Sequence, residues 1–299
     1  MYSTSVGVAY SRNGAYEGLG LGCSFFRLDE QSDDLQFWFI DYVVREIIFH
    51  CCAKALYDAL KDHPPLEALE STTHSFGEDG DIQGRLGYSI CGEAKDHVSL
   101  FCYDPEDIPS YCANEVERTF SDSDFAVPES GLFKLLELTA DMVNMELNGC
   151  TDEHIERPRE PLCEKNAKNS WEWISFYRSY GELSLDGRHV FGGSLFSNRN
   201  EFQFSIANGG PERYCLQCDP GEFSRAMDSA DKLASLEAVD WRSCTTGNPT
   251  RVQCRVAGQV VHIVCRDDSG ACETFSVPKE ELVKFLHSLY HVIVIPNCC

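Results

Sequence analysis

The stretch FSVPKEELVKFL (275–286) decides the fold, because the chain also contains a close copy of it, FAVPESGLFKLL (125–136). Counted from Pro128 and from Pro278, apolar residues fall at positions +4, +5, +7 and +8. These positions lie on one face of an α-helix. Proline and acidic residues occur in the first turn, as the missing N–H of proline and the helix dipole favour. Each copy therefore predicts an amphipathic helix that starts beside its proline.

Similar sequence also precedes the two predicted helices. SICGEAKDHVSLFCYD (89–104) and VQCRVAGQVVHIVCRD (252–267) each hold two cysteines eleven positions apart and end in an acidic turn. Apolar and polar residues alternate in both, which predicts antiparallel strands of a hairpin or meander. Each unit thus consists of two or three strands followed by a helix.

Two further stretches follow the same order. In YCLQCDPGEF (214–223) a strand leads to Asp219, a predicted N-cap, with Glu222 three residues later. Near the start of the chain, a predicted hairpin at 13–14 and an apolar strand lead to a predicted helix at 45–60. The sequence therefore predicts up to four units.

These units predict an α+β fold: tandem strand-strand-strand-helix units, with antiparallel sheets and helices packed on one face, in two domains. The stretch between the domains is polar, holds two prolines and lacks periodicity, so we interpret it as a linker. The predicted limits are an acidic domain at 1–150 with units at about 1–62 and 82–148, a linker at 151–170, and a second domain at 171–299 with units at about 181–238 and 250–291.

Composition indicates a reduced compartment. The 299 residues are 43% hydrophobic, which is ample for a core, and most of the 16 cysteines sit among apolar residues. No basic-then-apolar segment begins the sequence, so we expect no signal peptide, a cytoplasmic location and free thiols. The most apolar run, 35–52, carries Asp41, Arg45 and Glu46, so we expect a buried element there and no membrane span.

The net charge of −23 is unevenly placed along the chain. Residues 1–150 carry 9 basic and 27 acidic side chains, giving −18, whereas residues 151–239 give −5 and residues 240–299 give zero. Such a field repels nucleic acid and anionic membranes and attracts basic proteins. The sequence predicts a carboxylate-rich face formed by Glu78, Asp79, Asp81, Glu106, Asp107, Glu115, Glu117, Asp122 and Asp124.

Two motifs resemble metal or redox sites. Cys215 and Cys218 form a C-x-x-C, but on an extended chain they point to opposite faces, and neither a thioredoxin-like context nor a second C-x-x-C is present. We interpret this stretch as a structural joint. His287 and His291 lie one helical turn apart without an evident third ligand, where histidines suit a helix C-terminus.

Two glycine-containing stretches resemble ligand loops. GEDGDIQG (77–84) lacks the alternate ligands and the terminal glutamate of a calcium loop, so it predicts a solvated turn. GLGLGC (18–23) lacks the spacing of a nucleotide loop and lies in a strand-like run, where glycine indicates a bulge or a close backbone approach.

Cysteine chemistry has two further candidates. His50, Cys51 and Cys52 fall on the predicted apolar helix, which indicates an inert core and not a nucleophile. The terminal cysteines follow HVIVIP (291–296), which predicts an apolar strand and leaves no free tail for lipidation. We therefore expect no catalytic residue, no cofactor and no metal.

The resulting hypothesis is a non-enzymatic, acidic cytosolic protein that binds a basic protein partner, of the inhibitor, immunity, chaperone or nucleic-acid-mimic type. The more neutral C-terminal domain would pack or form a homo-oligomer. One alternative is an enzyme whose site lies between the domains.

The other alternative is single-stranded nucleic-acid binding by the sheet of the C-terminal domain. The strand-then-helix order resembles the Whirly and PUR nucleic-acid-binding architectures, in the order of elements only. The negative charge disfavours nucleic acid, and no stretch interleaves basic and aromatic residues. Positive charge on that sheet would come from Arg242, Arg251, Arg255 and Arg266.

Charge reversal of the acidic residues in the loop at 105–124 is expected to slow association with a basic partner and to flatten its salt dependence, because rim charges steer diffusional encounter. Association rates measured across a salt series test this. Unchanged rates and an unchanged salt slope would show that the loop is not the binding site.

Overall fold

The computed structural model describes residues 2–12, 15–27, 33–40, 46–76, 82–91, 97–103, 125–148, 171–180, 189–197, 199–208 and 213–294. These ranges contain sixteen strands, six α-helices and one π-helical turn, and the strands pair antiparallel. The α+β class is therefore confirmed. The chain divides into two compact units, an N-terminal unit, Val6–Glu172, and a C-terminal unit, Met1–Ser5 with Trp173–Cys299.

The N-terminal unit is a meander in which each strand neighbours the next one along the chain. Two short helices interrupt it after the fourth strand, and a long helix follows the eighth. The elements are β1 (Tyr2–Arg12), whose residues up to Ser5 belong to the C-terminal unit, β2 (Ala15–Arg27), β3 (Asp33–Ile40), β4 (Glu46–Cys52), α1 (Ala53–Asp62), α2 (Pro65–Ser71), β5 (Thr73–Phe76), β6 (Ile82–Cys91), β7 (His97–Tyr103), β8 (Phe125–Pro128) and α3 (Glu129–Asn148).

Alternation along β3 explains the core of this unit. Leu35, Phe37 and Phe39 are fully buried, whereas the residues between them are partly or fully exposed. The Phe37 ring stacks on Phe49 of β4 at a centroid distance of 4.8 Å. Helices α1 and α3 pack on strands β3 and β2 respectively. One sheet face therefore carries the helices.

The helix predicted at 45–60 is wrong in its first half. Residues Glu46–Cys52 form strand β4, paired with β3 from Ile40↔Glu46 to Asp34↔Cys52, and helix α1 begins only at Ala53. The isoleucines and phenylalanine of EIIFHCC favour a strand, and pairing with β3 satisfies the backbone. Apolar residues in a continuous run give no helical or strand period by which to distinguish the two.

The glycines of the stretch at 18–23 mark a close approach, as predicted. A Cβ on Gly22 would lie 2.0 Å from the ring of Trp38, which lies across β2 from the neighbouring strand. A Cβ on Gly20 would be 3.4 Å from the same ring, an ordinary contact. Only a residue without a side chain leaves room for the indole ring at position 22.

The C-terminal unit repeats the order of elements seen in the N-terminal unit, again with neighbouring strands consecutive in the chain. Its elements are β9 (Trp171–Tyr180), β10 (His189–Phe196), β11 (Glu201–Asn208), β12 (Tyr214–Cys218), α4 (Pro220–Met227), α5 (Lys232–Glu237), β13 (Trp241–Ser243), β14 (Pro249–Ala257), β15 (Val260–Asp267), β16 (Cys272–Pro278), α6 (Lys279–Leu289) and a π-helical turn (Tyr290–Val294).

Aromatic rings hold the helices of this unit to its sheet. Phe285 of α6 contacts Phe176, Phe191 and Phe204 on three adjacent strands, with centroid distances of 5.3 to 6.0 Å. Gly193 lies directly under α6, where a Cβ would come 2.3 Å from Leu289. Truncating a buried phenylalanine typically costs about 3–5 kcal/mol, so this cluster is a major part of the core.

The local signals identified in the sequence are present. Asp219 caps α4 by accepting a hydrogen bond from the backbone N–H of Glu222 at 2.9 Å. Both helices that were predicted beside a proline form, as α3 and α6.

The sequence missed three strands: β4, assigned to a helix, and β5 and β13, which are only four and three residues long. So short a strand shows no measurable alternation.

The strand predicted at 291–296 is wrong, because its described residues are helical. Residues Tyr290–Val294 continue α6 as a π-helical turn and bury Val292, Ile293 and Val294 completely. Packing overrides the β propensity of these side chains. The predicted linker at 151–170 lies outside the described residues, and the domain limits stay a prediction. None of the helices in the described part of the chain has the length and apolarity of a membrane crossing.

Gly22→Ala is expected to lower the free energy of unfolding by about 1–3 kcal/mol, because the new methyl group forces the Trp38 ring away from β2. Gly20→Ala is the matched control on the same strand, where the methyl group fits and stability is nearly unchanged. Chemical denaturation followed by tryptophan fluorescence measures both. Equal stability of the two variants would contradict this packing.

Candidate nucleic-acid interface

The described helices of the C-terminal unit all pack against one face of its sheet. Phe202 stacks on Phe223 of α4, and Phe204 contacts Phe285 of α6, so helices cover the face to which these side chains point. Because successive side chains of a strand alternate between faces, the intervening residues point the other way. We call that opposite side of the C-terminal unit the outer face.

The four arginines named from the sequence all lie exposed on the outer face. Arg251 of β14 lies directly opposite Arg266 of β15. Arg255 lies opposite His262, and Arg242 of β13 lies opposite Gln217 of β12. On a strand, four residues span ~13 Å, so Arg251 and Arg255 belong to one patch. The structure therefore brings the predicted arginines together; we call Arg242, Arg251, Arg255 and Arg266 the arginine face.

None of the four arginines takes part in an ion pair within the described part of the chain. Like charges directly opposite one another on a sheet repel, since their Cβ atoms lie ~5 Å apart. The Arg251–Arg266 pair thus concentrates positive charge that a bound anion would relieve.

Arg178 provides a contrast within the same unit. It lies on the helix-covered face of β9, is 2% exposed, and donates to a Glu281 carboxylate oxygen at 2.9 Å and to the Thr4 hydroxyl at 3.2 Å. A buried arginine needs such partners, because an unpaired buried charge is costly. Arg178 is therefore structural, whereas the arginine face is open.

Aromatic side chains line the other end of the outer face. Trp173 and Phe196 pack edge-to-face at 5.6 Å, and both remain partly exposed. Tyr177 lies beside Gly192, where an added Cβ would come 2.5 Å from its ring and 2.4 Å from the Ser205 hydroxyl oxygen. Glycine at position 192 therefore leaves space for the phenol ring of Tyr177.

Two further arginines accompany these rings, and the sequence did not indicate them. Arg199 lies 5.6 Å from the centre of the Phe196 ring, and Arg213 lies 5.5 Å from that of Tyr177. The sequence contains no stretch that interleaves basic and aromatic residues, and these contacts come from the fold: Arg199 follows β10 and Arg213 directly precedes β12. The alternation W-x-W-x-S-x-Y in Trp171–Tyr180 was a usable signal of an aromatic face.

A polar row links the two ends of the outer face. Strand register places side chains in line across β9 to β13: Ser175, Ser194, Gln203, Gln217 and Arg242. Ser175 is buried, whereas Ser194, Gln203 and Gln217 are partly exposed, and their hydroxyl and amide groups can form hydrogen bonds with a polar polymer. The outer face therefore combines cations, hydrogen-bonding groups and aromatic rings.

The cysteines of the C-x-x-C separate as predicted, but one of them has an unpredicted partner. Cys215 lies on the outer face beside Ser205, and Cys218 is buried on the helix side. The Cys244 thiol donates to the sulfur of Cys215 at 2.7 Å. Accepting that hydrogen bond lowers the pKa of Cys215, whereas donating it and partial burial raise the pKa of Cys244.

Other thiols of this unit are poor nucleophiles. Burial raises the pKa of Cys254 and of Cys265 to about 12. In the N-terminal unit, burial likewise raises the pKa of Cys23 and Cys51 well above that of a free thiol. These four cysteines act as small apolar side chains.

The remaining histidine candidates do not assemble a described site. His287 and His291 stack at a ring distance of 4.5 Å at the end of α6. His50, Cys51 and Cys52 lie on strand β4, not on a helix, and adjacent strand residues point to opposite faces. No group of three metal-ligating side chains occurs within the described ranges.

The predicted carboxylate face cannot be placed. All nine of its residues belong to the stretches 77–81 and 104–124, which lie outside the described residues. The hypothesis of an acidic binding face therefore stays a prediction. In comparisons with known proteins, no family model, no curated protein and no solved structure matches this chain.

Proposed function

We propose that the protein binds single-stranded nucleic acid on the outer face of its C-terminal unit, without enzymatic activity. The observation that carries this proposal is the cross-strand pair of Arg251 and Arg266, exposed and without an ion-pair partner among the described residues. Phosphate is the ligand that arginine binds best, since its planar fork donates two parallel hydrogen bonds.

The aromatic end of the outer face supplies the second half of the binding mode. Trp173, Tyr177 and Phe196 are partly exposed rings on which unpaired bases would stack. Stacking contributes about 1–3 kcal/mol per base and tolerates any base, because every base has a π-face. Double-stranded nucleic acid hides its bases from such rings, so the proposed ligand is single-stranded and its sequence is weakly read.

The net charge of −23 is compatible with this ligand. At physiological ionic strength charges more than ~8 Å apart are largely screened, so a phosphate on the sheet responds to the nearest arginines. The negative charge is concentrated in residues 1–150, whereas residues 240–299 carry six basic and six acidic side chains. Low salt is expected to reveal repulsion at long range.

We infer further that the chain consists of four tandem units, each of four strands and a helical segment, arranged as two domains. The support is the order of elements: β1–β4 with α1–α2, β5–β8 with α3, β9–β12 with α4–α5, and β13–β16 with α6. This order of strands and then a helix resembles the Whirly and PUR architectures in the order of elements only, which is an analogy and not evidence of activity.

A basic protein partner for the N-terminal half remains a second proposal. It rests on the net charge of −18 in residues 1–150. A carboxylate-rich face and an arginine face on one chain would bind different ligands. An enzyme site remains a weaker alternative, since no described constellation of side chains favours a reaction.

Replacing Arg251 and Arg266 together by alanine is expected to weaken binding of a fluorescent single-stranded oligonucleotide. The slope of log affinity against log salt should fall by about 0.7 for each phosphate that the variant no longer neutralises. Tyr177→Ala should weaken binding with an unchanged salt slope, because it removes stacking and no charge. Fluorescence anisotropy over a salt series measures both.

Arg225→Ala is the matched control, because Arg225 is exposed on helix α4 rather than in the outer-face strands. Its affinity and salt slope should equal those of the unaltered protein. If the arginine-face variant and this control bind equally weakly, or if the unaltered protein binds no oligonucleotide at any salt concentration of the series, the proposed function is wrong.

A further inference from the structure

Cys215 and Cys244 form a pair that neither the C-x-x-C motif nor the proposed function explains. Cys215 lies on β12 and Cys244 directly follows β13, and their register continues the pairs Gln217↔Arg242 and Leu216↔Ser243 by one step. The backbone N–H of Cys244 donates to the carbonyl oxygen of Cys215 at 2.9 Å. The two residues therefore lie directly opposite each other, with side chains on the same face.

The distance between the two sulfurs is short. Their separation of 2.7 Å exceeds the length of a disulfide bond, ~2.05 Å, by little more than half an ångström. Directly opposite strand residues have Cβ atoms ~4.5–5.5 Å apart, which is near the range that a disulfide spans. Closing the bond thus needs a small adjustment of side-chain torsions and local backbone.

Neither cysteine of the pair is fully buried. Each is partly exposed on the outer face, unlike buried Cys218 and Cys265. Gln203 accepts a weak hydrogen bond from Cys215 at 3.6 Å, so the surroundings are polar. Donation from the Cys244 thiol lowers the pKa of Cys215, which favours the thiolate that attacks disulfides.

We propose that Cys215 and Cys244 are a reversible redox pair that exchanges with low-molecular-weight disulfides such as oxidised glutathione. The Cys215 thiolate attacks one sulfur of glutathione disulfide, forms a mixed disulfide and releases one glutathione thiolate. Cys244 then loses its proton and attacks the Cys215 sulfur, which forms the Cys215–Cys244 bond and expels the second glutathione. The protein loses two electrons and two protons, and one glutathione disulfide becomes two glutathione molecules.

This pair offers a chemical modification within the outer face. The bond would close the segment 215–244, which contains α4 and α5, and it would lie two residues from Arg242 on β13. The exchange does not depend on nucleic-acid binding, so each proposal can fail separately.

Peptide mapping of the full chain tests the pair directly. The protein is equilibrated in glutathione buffers of increasing oxidised fraction, quenched with acid, alkylated and digested with trypsin. Oxidation should join the peptide 214–225 to the peptide 243–251, with two fewer alkylated thiols, and excess reduced glutathione should restore both. Separately alkylated Cys215 and Cys244 under fully oxidising glutathione would overturn the proposal.

Variants identify which cysteine of the first peptide reacts. Cys218→Ser should keep the cross-link, because Cys218 is on the opposite face, whereas Cys215→Ser should abolish it and leave Cys244 as a glutathione adduct. A Cys215–Cys218 bond in the unaltered protein would overturn the cross-strand assignment. The mapping of the unaltered protein decides the matter even if a variant fails to fold.

Discussion

The contact of Phe285 with three phenylalanines on adjacent strands determines which side of the C-terminal sheet is available to ligands. Phe176, Phe191 and Phe204 all point toward α6, and their rings are buried against it. Side chains alternate between the two faces along a strand, so the residues directly before and after each of these phenylalanines point away from the helix. Burial of the phenylalanines therefore determines which side chains form the outer face.

The contrast between Arg178 and the arginine face follows from the same alternation. Arg178 falls on the buried side and has a carboxylate partner, as burial of a charge requires. Arg251 and Arg266 fall on the other side, where both are exposed and lie directly opposite each other. The proposed anionic ligand would offset the repulsion between them.

Glycine has the same role in both units. Gly22 admits the indole of Trp38 in the N-terminal unit, and Gly192 admits the phenol of Tyr177 in the C-terminal unit. In each case the aromatic side chain comes from a neighbouring strand and lies across the glycine. An aromatic ring held flat on a sheet loses little entropy on binding a second flat ring, so preorganisation favours stacking.

Local signals in the sequence predicted helices α3 and α6 and the helix cap at Asp219. Alternation of apolar and polar residues predicted most of the strands. Each of these signals depends only on residues close together in the sequence. The α+β class followed from them. The same reasoning placed β4 in a helix, since an unbroken apolar run has no period.

Only the tertiary structure decided the candidate site. Arg251 and Arg266 are fifteen positions apart in sequence, and Cys215 and Cys244 are twenty-nine apart, yet each pair becomes adjacent through strand register. Register depends on turn lengths and on which face is buried, and a one-residue shift would turn every side chain to the other face. The sequence alone was enough to select the four arginines. Strand pairing places them on one sheet face with the aromatic rings, and it places Cys244 opposite Cys215.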